Sequence, residues 1–285
     1  KQSMVLKEEL ENKVNVRTQE LKESNEKVKD SIEYAKRLQE SILPLDKEMK
    51  RVFKDSFVIW RPRDIVGGDF FWLREIDDIT ILAVSKTHPI DAIIKANEYG
   101  MQEFGENYAQ ELKEKQDEII KNNYPQVNWH FIGHLQTNKV KYLAPFVKMI
   151  HSVDSLKLAE EIGKQAKKYN RTIDILLQVN TSNEESKSGV EPNEVFKLAK
   201  EVQNIENVRI KGLMTIGSFS NDANISIKEF SILRNLKIEL KSSFPEIDFQ
   251  HLSMGMTHDY EIAVTEGSTI LRIGTAIFGQ RDYSK

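Results

Sequence analysis

The 285-residue chain has no cysteine. That excludes disulfides, thiolate catalysis and cysteine-based zinc sites together, and it agrees with a reducing, cytoplasmic setting. No apolar run approaches the roughly 18 residues that a membrane-spanning helix requires, so no membrane association is expected. Lys1-Gln2-Ser3 is not followed by the apolar core of a signal peptide, and the absence of an initiator Met suggests a piece of something longer. Charge of one sign is also lacking. Forty-one Lys and Arg against 44 Asp and Glu leave a formal net charge of −3, which argues against a general nucleic-acid binder. What is present is 39% hydrophobic and 30% charged residues, the balance of a globular chain with one highly charged portion.

The texture changes twice along the chain. Residues 1–43 hold neither Gly nor Pro, and Val14, Leu21, Val28, Ala35 and Ile42 recur every seven residues. This predicts a long helix with a narrow apolar seam. The second seam, Leu10, Arg17, Ser24, Ser31 and Leu38, is interrupted by three polar residues. Self-association through this helix and a solvated single helix therefore both remain open. In residues 44–78, Pro44, Pro62, Gly67 and Gly68 break the helix, and Ser56–Trp60 and Asp69–Trp72 read as short strands.

From residue 79 onward strand and helix patterns alternate. Strands are predicted at Ile79–Lys86, Gln102–Asn107, Trp129–Leu135, Met149–Val153, Ile173–Asn180, Arg209–Ile216, His251–Met256 and Ile270–Phe278. Ser155–Tyr169, Pro192–Gln203 and Ser226–Lys241 read as helices between them. Several strands are nearly continuous apolar runs, as buried parallel strands are. Eight such units in residues 79–285 predict an α/β fold, a (β/α)8 TIM-type barrel. A doubly wound sheet is the weaker alternative, because no early Gly-x-Gly-x-x-Gly accompanies the units.

In such a barrel the functional residues lie at the C-terminal ends of the strands. Lys86 ends the first strand, in Thr80-Ile-Leu-Ala-Val-Ser-Lys86-Thr-His-Pro89, and alternation puts it on one face with Thr80, Leu82 and Val84. A lysine drawn into an apolar mouth has a lowered pKa and an amine free to attack an aldehyde. By itself the feature better describes a lysine reaching solvent at a strand end. The last strand adds a reason to choose. Gly274 and Thr275 at its far end offer backbone amides and a hydroxyl to an anion, at the usual phosphate position of this fold. Arg272 shares their face, and Ser253 and Thr257 near the seventh strand can add phosphate donors.

Ala83-Val-Ser-Lys-Thr87, Phe104-Gly-Glu-Asn-Tyr108, Trp129-His-Phe-Ile-Gly-His-Leu-Gln136, His151-Ser-Val-Asp154, Gln178-Val-Asn180, Lys187-Ser-Gly189, Gly212-Leu-Met214, Leu252-Ser-Met-Gly-Met256 and Arg272-Ile-Gly-Thr-Ala-Ile-Phe-Gly279 occur in this order. Together they resemble the pyridoxal-phosphate homeostasis protein family, which is itself similar to the N-terminal barrel of alanine racemase. The resemblance implies a fold-type-III-like barrel with pyridoxal 5'-phosphate as cofactor, held as a Schiff base on Lys86. It further implies phosphate binding by Gly274 and Thr275, and a lining of Asn107, Ser253 and Arg272, with Arg272 near the pyridine nitrogen. An arginine cannot accept the proton that makes the ring an electron sink, which disfavours transamination and decarboxylation, a feature that racemases with the related barrel share. The chain read here ends at Lys285, so the second domain that gives racemases their acid/base tyrosine is expected to be missing. A carrier or regulator of the cofactor is the resulting expectation, with dependent apoenzymes as partners. An amino-acid racemase is the alternative.

His130, His134 and His151 suggest a metal site by their spacing, but with no carboxylate cluster beside them supporting or structural roles are expected. Asn183-Glu-Glu-Ser-Lys187 reads as a solvated loop. The front of the chain points elsewhere. Ser31-Ile-Glu-Tyr-Ala-Lys-Arg-Leu-Gln-Glu-Ser-Ile-Leu-Pro44 and Arg61-Pro-Arg-Asp-Ile-Val-Gly-Gly-Asp-Phe-Phe-Trp72 resemble the coiled linker and start of metal-dependent serine phosphatases related to the stage II sporulation phosphatase. There Asp69 matches a metal ligand, but the Asp-x-Thr-Gly-His-Gly text that should follow is replaced by Ser85-Lys-Thr-His-Pro89. A truncated, chimeric leader without phosphatase activity is expected, with a signalling-derived interaction protein as a third reading.

Overall fold

The computed structural model describes residues 79–279 except 185, 186, 219 and 221, together with residues 17–19, 21, 22, 25, 26 and 29. The chain divides into two compact units, Lys1–Glu75 and Ile76–Lys285. In the first unit the described residues are helical and exposed. The other expectations for residues 1–78, including the two short strands and Asp69, lie outside the described residues.

In the second unit eight parallel strands close into a barrel in sequence order. They are β1 (Thr80–Val84), β2 (Glu103–Glu106), β3 (Asn128–Phe131), β4 (Met149–Val153), β5 (Ile173–Gln178), β6 (Val208–Met214), β7 (His251–Ser253) and β8 (Ile270–Ile273). The helices α1 (Ile90–Glu98), α2 (Ala109–Lys121), α3 (Val140–Leu143), α4 (Leu156–Lys168), α5 (Val195–Val202), α6 (Ala223–Ser243), α7 (Tyr260–Thr265) and α8 (Thr275–Phe278) follow the strands in turn. The (β/α)8 barrel is therefore the fold of this unit, and the doubly wound alternative is excluded by closure between β1 and β8.

The sequence forms these elements for local reasons. On α4, Leu158, Ala159, Ile162, Gly163 and Ala166 are buried at helical spacing, while lysines fill the outer face. At the start of α6 the Asp222 side chain caps the first turn by accepting from the Asn224 amide. Inside the barrel, Leu82, Val84, Ile132, Met149, Leu176, Met214 and Ile270 make one apolar cluster. Between sheet and helices, Trp129 buries its ring and donates its Nε1–H to Gln116 Oε1 at 2.7 Å.

Strand ends are where the sequence reading needs correction. The eighth strand stops at Ile273, and Thr275–Phe278 is a helical turn instead of more strand. The first stops at Val84, the third at Phe131, the sixth at Met214 and the seventh at Ser253, each short of the apolar text that extended it. Hydrophobic pattern continues into the barrel-mouth loops because those loops are themselves buried, so the pattern alone does not mark the last ladder bond.

One glycine fixes the mouth between the second and third units. A Cβ on Gly133 would lie 2.1 Å from the Asn107 carbonyl oxygen, so only glycine lets these two loops meet. Gly133→Ala should lower the stability of the barrel by roughly 3 kcal/mol, read as a shift in the denaturant midpoint at unchanged slope.

Candidate functional site at the barrel mouth

The expected site residues do converge on one end of the barrel. Lys86 lies two residues beyond β1, Asn107 directly after β2, Ser253 at the end of β7, and Gly274 directly after β8. Arg272 lies within β8 and reaches the same region from inside. Thr257 stands four residues past β7, half-buried, in the loop before α7. The register pairs Leu82 of β1 with Arg272 of β8 across the seam where the barrel closes. A stack of His88 on Phe278, ring centroids 5.0 Å apart, joins the loop after β1 to α8 at that seam.

The turn that carries Lys86 is held from below. Lys115, on α2, is only 7% exposed and donates to Ser85 O at 2.9 Å, to Glu106 Oε1 at 2.7 Å and to Glu111 Oε1 at 2.7 Å. The Ser85 hydroxyl donates to the same Glu106 oxygen at 2.6 Å. On the other side of Lys86, the Thr87 amide donates to Glu111 Oε1 at 2.6 Å. Thr87 has φ +67°, an uncommon conformation for a β-branched residue, so the backbone beside Lys86 is strained. Its immediate neighbours are thus both fastened to one lysine–carboxylate cluster. Burial pushes the Glu106 carboxyl above its usual range, against the opposing Lys115 charge and the Ser85 hydrogen bond.

Arg272 is the most deeply buried cation of the mouth, at 4% exposure. Its Nη1 donates to Ser253 Oγ at 2.9 Å and its Nη2 to the Thr215 carbonyl at 2.8 Å. Burial lowers its pKa from 12.5 to about 10, with Asp259 opposing, so the guanidinium stays charged at neutral pH. Ser253 passes the line on to His151 Nδ1 at 2.9 Å, and His151 Nε2 meets His130 Nδ1 at 2.8 Å. His134 is separate. It is 62% exposed and lies 4.0 Å from Asp154. The three histidines therefore do not form one site, and among the described residues no group of His, Asp and Glu is arranged to hold a metal.

Two features suit a phosphate-bearing aromatic ligand. Asn107 Oδ1 is buried without a hydrogen-bond partner, an acceptor held ready at the mouth. At Gly274, a Cβ would come within 3.3 Å of the Val84 carbonyl, so the backbone there runs bare against β1. The sequence reading missed Ser85, Glu106, Glu111, Lys115 and Thr215. Lys115 was readable in part, since it falls on the buried stripe of α2 with Leu112, Gln116 and Ile119, where a lysine must have partners. Lys187, in the loop read as solvated, bonds Glu184 at 2.9 Å and the Gly217 carbonyl at 2.9 Å, tying the loop after β5 to the one after β6.

A family model for the alanine racemase N-terminal domain matches residues 73–282. The pyridoxal phosphate homeostasis protein of Pasteurella multocida is 42% identical over 207 residues, 73% of this chain and 88% of the relative. PipY of Synechococcus elongatus, solved with pyridoxal phosphate bound, is 35% identical with a TM-score of 0.67, covering 72% of this chain and 94% of that one. An alanine racemase of Clostridium difficile, at 16% identity and TM-score 0.58, shares the fold over 53% of its own length.

Replacing Lys115 by Met should expose the dependence of the mouth on its cluster. The change leaves Glu106 buried without a cation and should cost about 3–5 kcal/mol at neutral pH. A carboxyl with a raised folded pKa favours the fold below its unfolded value of 4.5 and loses that advantage as pH rises through the folded value. The gap between wild type and variant should therefore shrink near pH 4.5, as read by denaturant titrations at the two pH values.

Proposed function

The chain belongs to the alanine racemase N-terminal domain family, among its pyridoxal phosphate homeostasis proteins, and from that premise we propose that it binds pyridoxal 5'-phosphate and serves in the carriage and homeostasis of that cofactor. The observation that carries the reading is the buried Arg272 guanidinium beside Ser253, where an electron-sink enzyme places a carboxylate. The residues present fit the cofactor. Gly274 and Thr275, with Thr257, hold the phosphate. Asn107 and Ser253 would line the ring, and Arg272 would lie on the side of its nitrogen. Lys86 would supply the amine that holds the aldehyde of the bound cofactor as a Schiff base, with loss of water. When bound, pyridoxal phosphate supplies an aldehyde for amines and an electron sink only if its ring nitrogen is protonated.

Arg272 sets the balance between holding and turnover. A charged guanidinium, already donating to Ser253 and Thr215, has no lone pair to take a proton from the ring and repels one that forms there. Beside it the ring nitrogen of a bound cofactor would be kept neutral, which would weaken carbanion stabilisation. Delivery to dependent apoenzymes in the cytoplasm is the matching role, and no helix among the described residues is long and apolar enough to cross a membrane. For residues 1–78 the sequence supports a coiled linker open to self-association, followed by a phosphatase-derived fragment without metal-dependent activity.

Visible absorbance and borohydride test this reading together. Wild-type protein loaded with pyridoxal phosphate should absorb as an imine, and reduction should fix the cofactor to Lys86. Lys86→Ala should lose the covalent adduct yet keep weaker, phosphate-anchored binding. A mass shift mapped to Lys139 or Lys187, or alanine racemisation at the rates of ordinary enzymes, would overturn the proposal.

A further inference from the structure

We propose that His151 and His130 are positioning residues for Arg272, joined to it through Ser253 in a hydrogen-bonded line that runs in one direction from the mouth of the barrel to Glu103 at its floor. The inference rests on the function proposed above only in assigning Arg272 to the cofactor ring. The line itself follows from donors and acceptors.

Both ends are fixed by charge. At the mouth, an arginine carries donors only, so Ser253 Oγ must accept from Arg272 Nη1 at 2.9 Å. At the floor, Glu103 accepts from Lys148 Nζ at 2.5 Å and faces His130 Nε2 at 2.6 Å. Burial raises the Glu103 carboxyl, but the hydrogen bonds from His130 and Lys148, with the Lys148 charge, outweigh it and hold it well below its usual range. An ionised carboxylate cannot donate, so His130 carries its proton on Nε2. The charged and titratable groups facing the two rings are Glu103 on β2, Lys148 before β4, Asp174 on β5, His251 on β7 and Arg272 on β8. Burial dominates for both rings and holds both neutral.

The remaining protons then have one arrangement. A neutral His130 with Nε2–H has a bare Nδ1, which must accept from His151 Nε2–H across 2.8 Å. His151 is left with a bare Nδ1, which accepts the Ser253 hydroxyl proton across 2.9 Å. Each group donates towards Glu103 and accepts from the side of Arg272. Reversing His151 would turn two N–H groups or two lone pairs towards each other somewhere along the line. The Ser253 hydroxyl is thereby locked with an oxygen lone pair aimed at Arg272, and the guanidinium is held between that oxygen and the Thr215 carbonyl.

The placement within the fold supports a role beyond filling space. Barrel interiors of this kind are normally packed with branched apolar side chains. Here His130, His151, Ser253 and Arg272 take four inward positions, each 4% exposed or less, and each costs free energy to bury unless fully satisfied. A satisfied network of this kind fixes orientation more than it adds stability. Neither ring is among the residues assigned to the cofactor, so each acts on it only through Ser253 and Arg272.

The test uses the full chain with ring-nitrogen NMR and pyridoxal phosphate titrations followed by visible absorbance. Both rings should appear as neutral Nε2–H tautomers at neutral pH. His151→Leu should weaken cofactor binding by on the order of ten- to a hundredfold, the loss expected for a hydrogen bond to a charged group, and shift the absorbance maximum of the bound cofactor. His151→Asn should recover most of both, because its Oδ1 stands where Nδ1 stood and accepts from Ser253. His130→Gln, which keeps a donor to Glu103 and loses the acceptor for His151, should fall between them. Binding and spectrum identical in wild type and His151→Leu would overturn the positioning role while leaving the proposed function intact. Should the Leu variant not fold, identical binding and spectrum in wild type and His130→Gln would overturn it equally. If wild type takes up no pyridoxal phosphate, the proposed function falls, and the tautomers alone decide. Nε2–H on both rings keeps the line, and Nδ1–H on either removes it.

Discussion

A guanidinium buried in the interior of a small barrel is the constraint that organises this structure. Arg272 sits on the inward face of β8, and an unpaired charge there would cost several kcal/mol after relaxation. Among the described residues no carboxylate hydrogen-bonds to it, although Asp259 lies near enough to favour its charge. Its protons go instead to the Ser253 hydroxyl and the Thr215 carbonyl, so the charge is spread into dipoles. A hydrogen-bonded route from that cation to an anion runs through Ser253, His151 and His130 to Glu103, which Lys148 in turn balances at the floor. A cation at the mouth and an ion pair at the bottom thus bracket a row of neutral polar groups. The apolar cluster of Leu82, Val84, Ile132, Met149, Leu176, Met214 and Ile270 fills the space around them.

The opposite side of the mouth solves a different problem with similar means. Lys86 lies two residues past a strand, and a backbone with a strained Thr87 would relax unless held. Lys115, Glu106 and Glu111 hold it by bonds to the residues on either side of Lys86. One buried cluster fixes the lysine's backbone and another fixes the arginine's head group. Between them Asn107 and Gly274 keep an acceptor and a bare backbone available. On the proposed reading, a mouth with these parts would hold an aldehyde-bearing phosphate without making its ring acidic.

Much of this was legible in the sequence, for physical reasons that differ from place to place. Parallel strands buried on both faces announce themselves as apolar runs, so all eight were found, and the motifs around Lys86 and Arg272-Ile-Gly-Thr275 led to the mouth. The strand ends were not legible, because buried loop residues such as Ile132, Leu135 and Met254 share the apolar text of the strands they follow, and because the apolar Thr275–Phe278 forms a helical turn that is not buried. The histidine line was half-visible. His130, His134 and His151 drew notice together, but spacing alone could not say that His130 and His151 point into the barrel and meet while His134 points to Asp154. The Lys115 cluster depends on a helix folding back over β1 and β2, a contact between residues 30 apart for which sequence offers only a lysine on an apolar stripe.

The central claim is that one mouth gathers the amine, the phosphate cradle and the guanidinium around a single ligand. A crystal structure of the chain soaked with pyridoxal phosphate tests it most directly. The account predicts density continuous with Lys86 Nζ, the phosphate against Gly274 and Thr275, and Arg272 still bonded to Ser253 and Thr215. Density joined to another lysine, or an Arg272 side chain swung away from Ser253 in the loaded protein, would contradict it.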